Sequence, residues 1–146
     1  MARGNQIEAI IFRKKKNNYE FLLLKRTTER GGFWQPVTGG IEGDETKLEA
    51  IRREVEEEIG VKNIKKTIDN VYSFILEGNN KEEFVFGVEI DSNEEIILDK
   101  NVCLEHEEFR WCSFKEALNL LKWPGNKEGL IKLNSIIKNK AIIPKK

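Results

Sequence analysis

A chain of 146 residues is long enough for one substantial core and too short for two ordinary domains, so a single domain over residues 1–146 is expected. Lysine plus arginine balances aspartate plus glutamate at 25 each. That balance removes the bulk positive field of a nonspecific nucleic-acid binder and favours a small or end-recognised substrate over DNA. No apolar run approaches the roughly 20 residues of a membrane span, and the Met1–Gln6 start lacks the apolar core of a signal peptide, so a cytoplasmic protein without a membrane partner is expected.

In chain order, Ile7 to Phe12 and Phe21 to Lys25 are β-prone runs separated by the polar stretch Arg13 to Asn18, the pattern of a hairpin. The basic run Lys14–Lys16 then belongs to a solvated turn, and Lys145 and Lys146 to a solvated terminus. Phe33 to Thr38 is a third extended run, and Pro36 argues that it is not an interior strand throughout. Gly39, Gly40 and Gly43 follow as a flexible turn, a place where backbone can approach an anionic ligand or lend a carbonyl to a cation. Thr46 with Glu49 forms a capping box, and Leu48, Ile51, Val55 and Ile59 recur at helical spacing. Gly60 stands at the C′ position. Ile68 to Leu76 and Glu83 to Ile90 are strand-like around the turn Glu77 to Lys81 and should pair antiparallel. Phe109 to Cys112 is a last strand, and Ser113 with Glu116 caps a helix through Leu121. Leu130, Ile131, Leu133, Ile136 and Ile137 mark a final helix. Strands interleaved with two or three helices predict an α/β (α+β) sandwich with a mixed β-sheet. Cys103 and Cys112 have no metal-type spacing and read as buried free thiols.

Three glutamates in the first helix, Glu54, Glu57 and Glu58, fall at i, i+3 and i+4, within an arc of about 100°. Such a patch repels itself unless a cation sits among the carboxylates. Clustered carboxylates suit a hard divalent ion, Mg²⁺ or Mn²⁺, which keeps waters for substrate phosphates. The plainer alternative is a solvated helix laced by Glu49/Arg53 and Arg53/Glu57 pairs. Neither Gly39 nor Glu45 is needed for that, and Arg53 reads better as the residue that holds one glutamate in its rotamer.

Gly39, five residues, Glu45, seven residues, and then Arg53-Glu54-Val55-Glu56-Glu57-Glu58-Ile59-Gly60-Val61 resembles an unbroken Nudix box. The resemblance implies a Nudix-type α/β/α sandwich and hydrolysis of a nucleoside diphosphate linked to another moiety. By motif position Glu54, Glu57 and Glu58 would be catalytic metal ligands and Arg53 would orient Glu54, which would double as base. Many Nudix enzymes draw a further carboxylate from a later loop, and in Leu104 to Trp111 the expected residue is Glu105, with Glu107 and Glu108 as alternatives.

Phe33-Trp34-Gln35-Pro36-Val37-Thr38-Gly39 resembles the run preceding the box in dihydroneopterin triphosphate and dATP pyrophosphohydrolases, and Trp123-x-x-Asn126 is similar to their C-terminal part. Gly40 and Ile41 are also similar to the corresponding run of dinucleoside polyphosphate and RNA 5′-pyrophosphohydrolases. Expected substrate contacts are Arg26, Trp34, Gln35, Gly39 and Gly40, with Trp34 either stacking on a ring or anchoring the sheet edge. His106, the sole histidine, reads as structural. The leading expectation is therefore a Mg²⁺-dependent pyrophosphohydrolase of a nucleoside or pterin triphosphate. Its rivals are a diadenosine tetraphosphate or RNA-end hydrolase and, in another class, a nucleotide-sensing Nudix module. The expected partner is the small-molecule polyphosphate, with a homodimer as the common oligomeric outcome.

Overall fold

The computed structural model describes residues 4–78, 80–98 and 106–142. β1 (Gln6–Lys15) and β2 (Asn18–Arg26) outrun their apolar centres and leave only Lys16 and Asn17 between them. Lys16 takes φ 58°, the positive-φ geometry of a tight hairpin. The two strands pair from Phe12↔Phe21 to Lys15↔Asn18 and then diverge. Into the gap fit β3 (Trp34–Gln35), paired with β2, and β4 (Val37–Gly40), paired with β1. Pro36 falls between them, so the third run is broken where a ladder N–H is missing.

β5 (Lys66–Ile75) and β6 (Glu82–Glu89) pair antiparallel, with a register shift between Ile68 and Tyr72 where Asn70 takes φ 55°. β6 joins β1 in parallel register, Gln6↔Glu83 to Phe12↔Glu89, and β7 (His106–Cys112) joins β2 antiparallel. The result is a seven-stranded mixed sheet.

α1 (Lys47–Ile59) is bounded by chemistry the sequence displays: both halves of the Thr46/Glu49 capping box are made, and Gly60 caps the C-terminus at φ 73°. α2 (Phe114–Leu120) has the same box from Ser113 and Glu116. α3 (Pro124–Ile142) begins well before the apolar stripe at Leu130, with proline at its first position.

Successive residues of β1 feed opposite cores, which is why that strand reads as a continuous apolar run. Ile7, Ala9 and Ile11 meet Ala50, Ile51, Val55 and Ile59 of α1. On the other face Ile10 and Phe12 meet Ala117, Leu130, Leu133 and Ile137 of α2 and α3. Helices cover both faces, giving the α/β/α sandwich. Each buried Ile or Val of α1 contributes about 1.5–3 kcal/mol, so the helix that carries the glutamates is firmly seated. Leu48 departs from its predicted place in that stripe. It is 37% exposed because the first turn of α1 borders an open cleft beside β5 and β6 rather than the core. Among the described residues no helix is long and apolar enough to cross a membrane.

Candidate active site

Arg53 of α1 is the hub of a polar cluster at the end of β4. Its Nε and Nη2 donate to the two oxygens of Glu45, at 2.6 and 3.0 Å, and Nη2 also donates to the Gly40 carbonyl at 2.8 Å. Nη1 donates to Glu54 Oε2 at 2.8 Å and reaches Glu57 Oε1 at 3.4 Å. One planar guanidinium thus joins loop, strand and helix, which a point-like ammonium cannot do. Hydrogen bonds from Arg53 and from the Glu42 N–H hold the Glu45 carboxyl down at about 2. The bond to Glu45, ahead of that to Glu54, drives the Arg53 pKa further above its ordinary value.

Glu45 is not among the expected site residues, although its place six residues after Gly39, with five between, is the signal that could have found it. The helical pair Glu49/Arg53 does not form. The Glu49 carboxylate accepts instead from the Thr46 N–H at 2.8 Å, because the capping box claims it first.

Gly39 lets β4 pass close to α1: a Cβ there would collide with the Glu54 carboxylate. The side chains of Glu54 and Glu58 are only 12% and 11% exposed, while that of Glu57 is 57% exposed. Every donor in this group is a carboxylate or carbonyl oxygen, hard ligands of the kind Mg²⁺ and Mn²⁺ take. Among the described residues no three acidic, histidine or cysteine side chains converge on one point. A Mg²⁺ site fits that arrangement, since the ion takes one or two carboxylates and completes its shell with water and substrate phosphates. Glu105, the further ligand expected from the sequence, lies outside the described residues, as does Cys103.

His106 is 4% exposed. Burial first, then the charges of Arg26 and Arg30, hold its pKa at about 4, so the ring is neutral near pH 7. The Gln35 Nε2 lies 3.1 Å from His106 Nε2. With the amide nitrogen donating, the ring proton sits on Nδ1, which faces Glu58 Oε1 at 3.8 Å. That contact joins a neutral ring to a carboxylate and is not an ion pair.

A cavity of about 490 Å³ opens beside β4, and Arg26, Gln35 and Thr38 are among the residues lining it. Two of the expected substrate contacts, Arg26 and Gln35, therefore share one cavity. Trp34 is not among its lining residues. Alternation along β3 sends its indole to the α2/α3 core, with the Arg110 guanidinium 5.0 Å from its ring centre. A larger cleft of about 760 Å³ lies between the start of α1 and β5–β6 and is lined by none of the clustered glutamates.

A family profile for the Nudix domain matches residues 3–133, and the chain belongs to that family. A solved chain from Listeria monocytogenes assigned to the Nudix hydrolases is 31% identical, with 93% of this chain and 95% of that one covered and a TM-score of 0.81. The Ap4A hydrolase of C. elegans is 20% identical with a TM-score of 0.78, over 92% of this chain and 99% of that one. The dihydroneopterin triphosphate pyrophosphohydrolase of E. coli is 23% identical with a TM-score of 0.72, over 92% and 94%. These last two share the fold, and the special closeness to the pterin group suggested by Phe33–Gly39 reduces to that. An octanoyltransferase of Myxococcus xanthus is 34% identical over 111 residues, which is 73% of this chain and 30% of that protein. The chain spans about a third of the length of the curated relatives it matches.

Proposed function

We propose that this chain, acting as a single domain, is a divalent-metal-dependent pyrophosphohydrolase that splits a nucleoside or pterin triphosphate into the monophosphate and pyrophosphate. The observation that carries this reading is the Arg53 clasp, which fixes the Glu54 carboxylate and the Gly40 carbonyl relative to one another. Thr38, next to Gly39 on the same strand, lines a cavity large enough for a flat ring.

Glu54, Glu57 and Glu58 are the carboxylates that would supply ligands to Mg²⁺ or Mn²⁺, one or two at a time, with the sequence candidate Glu105 as a further one. When bound, the ion neutralises phosphate charge and lowers the pKa of a coordinated water. Arg53 has its donors taken up by Glu45, Glu54 and the Gly40 carbonyl. It is a positioning residue that keeps Glu54 in one rotamer and moderates repulsion among the carboxylates. Arg26 lines the cavity, and its guanidinium would be the donor to a phosphate oxygen there.

The test is pyrophosphate release with and without Mg²⁺ from the dNTPs, dihydroneopterin triphosphate, diadenosine tetraphosphate and 5′-triphosphorylated RNA, for wild type and Glu57→Gln. Glu57 is exposed enough that the amide leaves the fold intact, and kcat should fall about 100- to 1000-fold. Undiminished turnover would remove Glu57 from the reaction. Cleavage of the dinucleotide or RNA end alone would move the reading to those substrates, and tight binding without turnover would indicate a sensor.

A further inference from the structure

β1 carries one residue that its apolar pattern does not accommodate. Glu8 lies on the same face as Ile10 and Phe12 and is fully buried, and Glu83, at the start of β6, is 4% exposed. Two such neighbouring carboxylates do not both ionise. Burial first, and the facing Glu83 second, raise the Glu8 pKa well above the usual carboxylate range, and burial also raises that of Glu83.

The hydrogen bonds locate the shared proton. Asn126, in the first turn of α3 and 5% exposed, donates from Nδ2 to Glu8 Oε1 at 2.8 Å, so Oε1 is the carbonyl oxygen. Glu8 Oε2 is buried and lacks a partner among the described residues while both acids are ionised. A proton on Oε2 makes it a donor to Glu83, leaving the pair one negative charge, carried by Glu83.

A buried triad of this kind adds less stability than apolar residues of the same volume, so packing alone does not account for it. Glu83 and Asn126 also line the 490 Å³ cavity, together with Phe74 and Trp123. Trp123 is 46% exposed. A Cβ on Gly125 would come within 2.6 Å of the Phe74 ring, so glycine there lets α3 approach that wall closely. The cavity therefore has an acceptor-rich floor and aromatic sides, with Arg26 and Thr38 also in its lining, Thr38 next to Gly39 of the Arg53 cluster.

We propose that this cavity receives the heterocycle of the substrate, and that Glu83 with Asn126 selects a ring edge displaying two adjacent N–H donors, the amino-lactam edge shared by guanine and pterins. This deepens the hydrolase reading and rests on it. An ionised carboxylate only accepts hydrogen bonds and can take both N–H groups side by side. The adenine edge sets a ring-nitrogen lone pair beside its amino group, so one carboxylate oxygen would face a lone pair. Adenine nucleotides, dATP included, should be the poorer substrates.

The test compares kcat/KM with Mg²⁺ for GTP, dGTP, dihydroneopterin triphosphate, ATP and dATP. In parallel, calorimetry without metal measures binding of GMP, dihydroneopterin monophosphate and AMP. The guanine or pterin arm should exceed the adenine arm by about 10- to 100-fold, and the ratio of GTP to dihydroneopterin triphosphate tells the two sources apart. Glu83→Gln, which puts a donor where an acceptor stood, should collapse that preference, bringing the guanine or pterin arm to within about 3-fold of the adenine arm. Because Glu83 is buried, the exposed Trp123→Ala serves as a second variant and should weaken all three heterocycles alike, by about 10-fold. Hydrolysis with equal kcat/KM across the arms overturns the pocket and leaves the hydrolase standing. Preference for GMP or dihydroneopterin monophosphate over AMP, without hydrolysis of any triphosphate, overturns the hydrolase and sustains the pocket. Neither hydrolysis nor preference overturns both.

Discussion

Replacing Arg53 by lysine keeps the positive charge and removes the planar fork, which separates the electrostatic part of the clasp from its geometric part. The guanidinium makes four hydrogen bonds of 3.0 Å or less, two to Glu45 and one each to Gly40 and Glu54. An ammonium on a shorter stem keeps one or two of them. Hydrogen bonds to charged groups contribute about 1.5–3 kcal/mol each when well shielded. The Arg53 and Glu45 side chains are 21% and 20% exposed, so water replaces part of what is lost and the net cost should be about 1–2 kcal/mol. For a chain of this length that lowers Tm by about 2–8 °C. Turnover should suffer more. A Glu54 carboxylate released by about 1 Å costs about 100-fold in kcat, while KM should stay near wild type because the Arg53 donors are already taken up by protein groups. Thermal melts and Mg²⁺-dependent pyrophosphate release read the two effects separately. A lowered Tm with wild-type kcat would make the clasp a stability device only, and a raised KM with unchanged kcat would place Arg53 against the substrate.

Gly39→Ala forces either the Glu54 carboxylate or β4 to move. Turnover should fall at least 10-fold, with a stability loss of about 1–3 kcal/mol, and a variant normal in both assays would mean that the passage is not tight. His106 titrates at about 4 in the folded chain against an ordinary 6.5, so the unfolded state binds more protons between those values. Its contribution to stability is full above pH 6.5 and is lost as pH falls toward 4. Urea unfolding at a series of pH values should give a flatter profile over that window for His106→Gln, and an unaltered slope would show that the ring is not held neutral. Glu8→Gln mimics the protonated acid, accepting from Asn126 and donating to Glu83. Because the folded pKa of Glu8 is raised above its ordinary 4.5, the stability from its proton is full below 4.5 and is lost as pH rises through the folded value. The variant should therefore melt higher than wild type at pH 8 and nearly match it at pH 4. Equal destabilisation at both would refute the shared proton.

The boundaries of α1 were legible in the sequence because capping is local: Thr46, Glu49 and Gly60 act within a turn of the helix they delimit. The helical spacing of Glu54, Glu57 and Glu58 was legible for the same reason, but not that Glu54 and Glu58 turn inward while Glu57 stays exposed. The strand starts were less visible, and β7 begins at His106, three residues before its apolar signal, because pairing with β2 recruits polar residues that propensity does not favour. The Arg53–Glu54 contact lies within one helix, whereas the two bonds to Glu45 depended on the glycine turn folding back onto α1, which helical spacing does not reveal. The opposite directions of Trp34 and Gln35 followed from the position of β3 in the sheet.

The triad of Glu8, Glu83 and Asn126 was invisible from sequence, because its outer members stand 118 residues apart and meet only when β6 lies parallel to β1 and α3 docks across both. The residue types available for metal and phosphate chemistry, and the helix that presents them, were set by short-range pattern. Which carboxylate carries a proton, and what the cavity beside it can recognise, were decided by long-range burial, since an acid changes character only when tertiary packing removes its water.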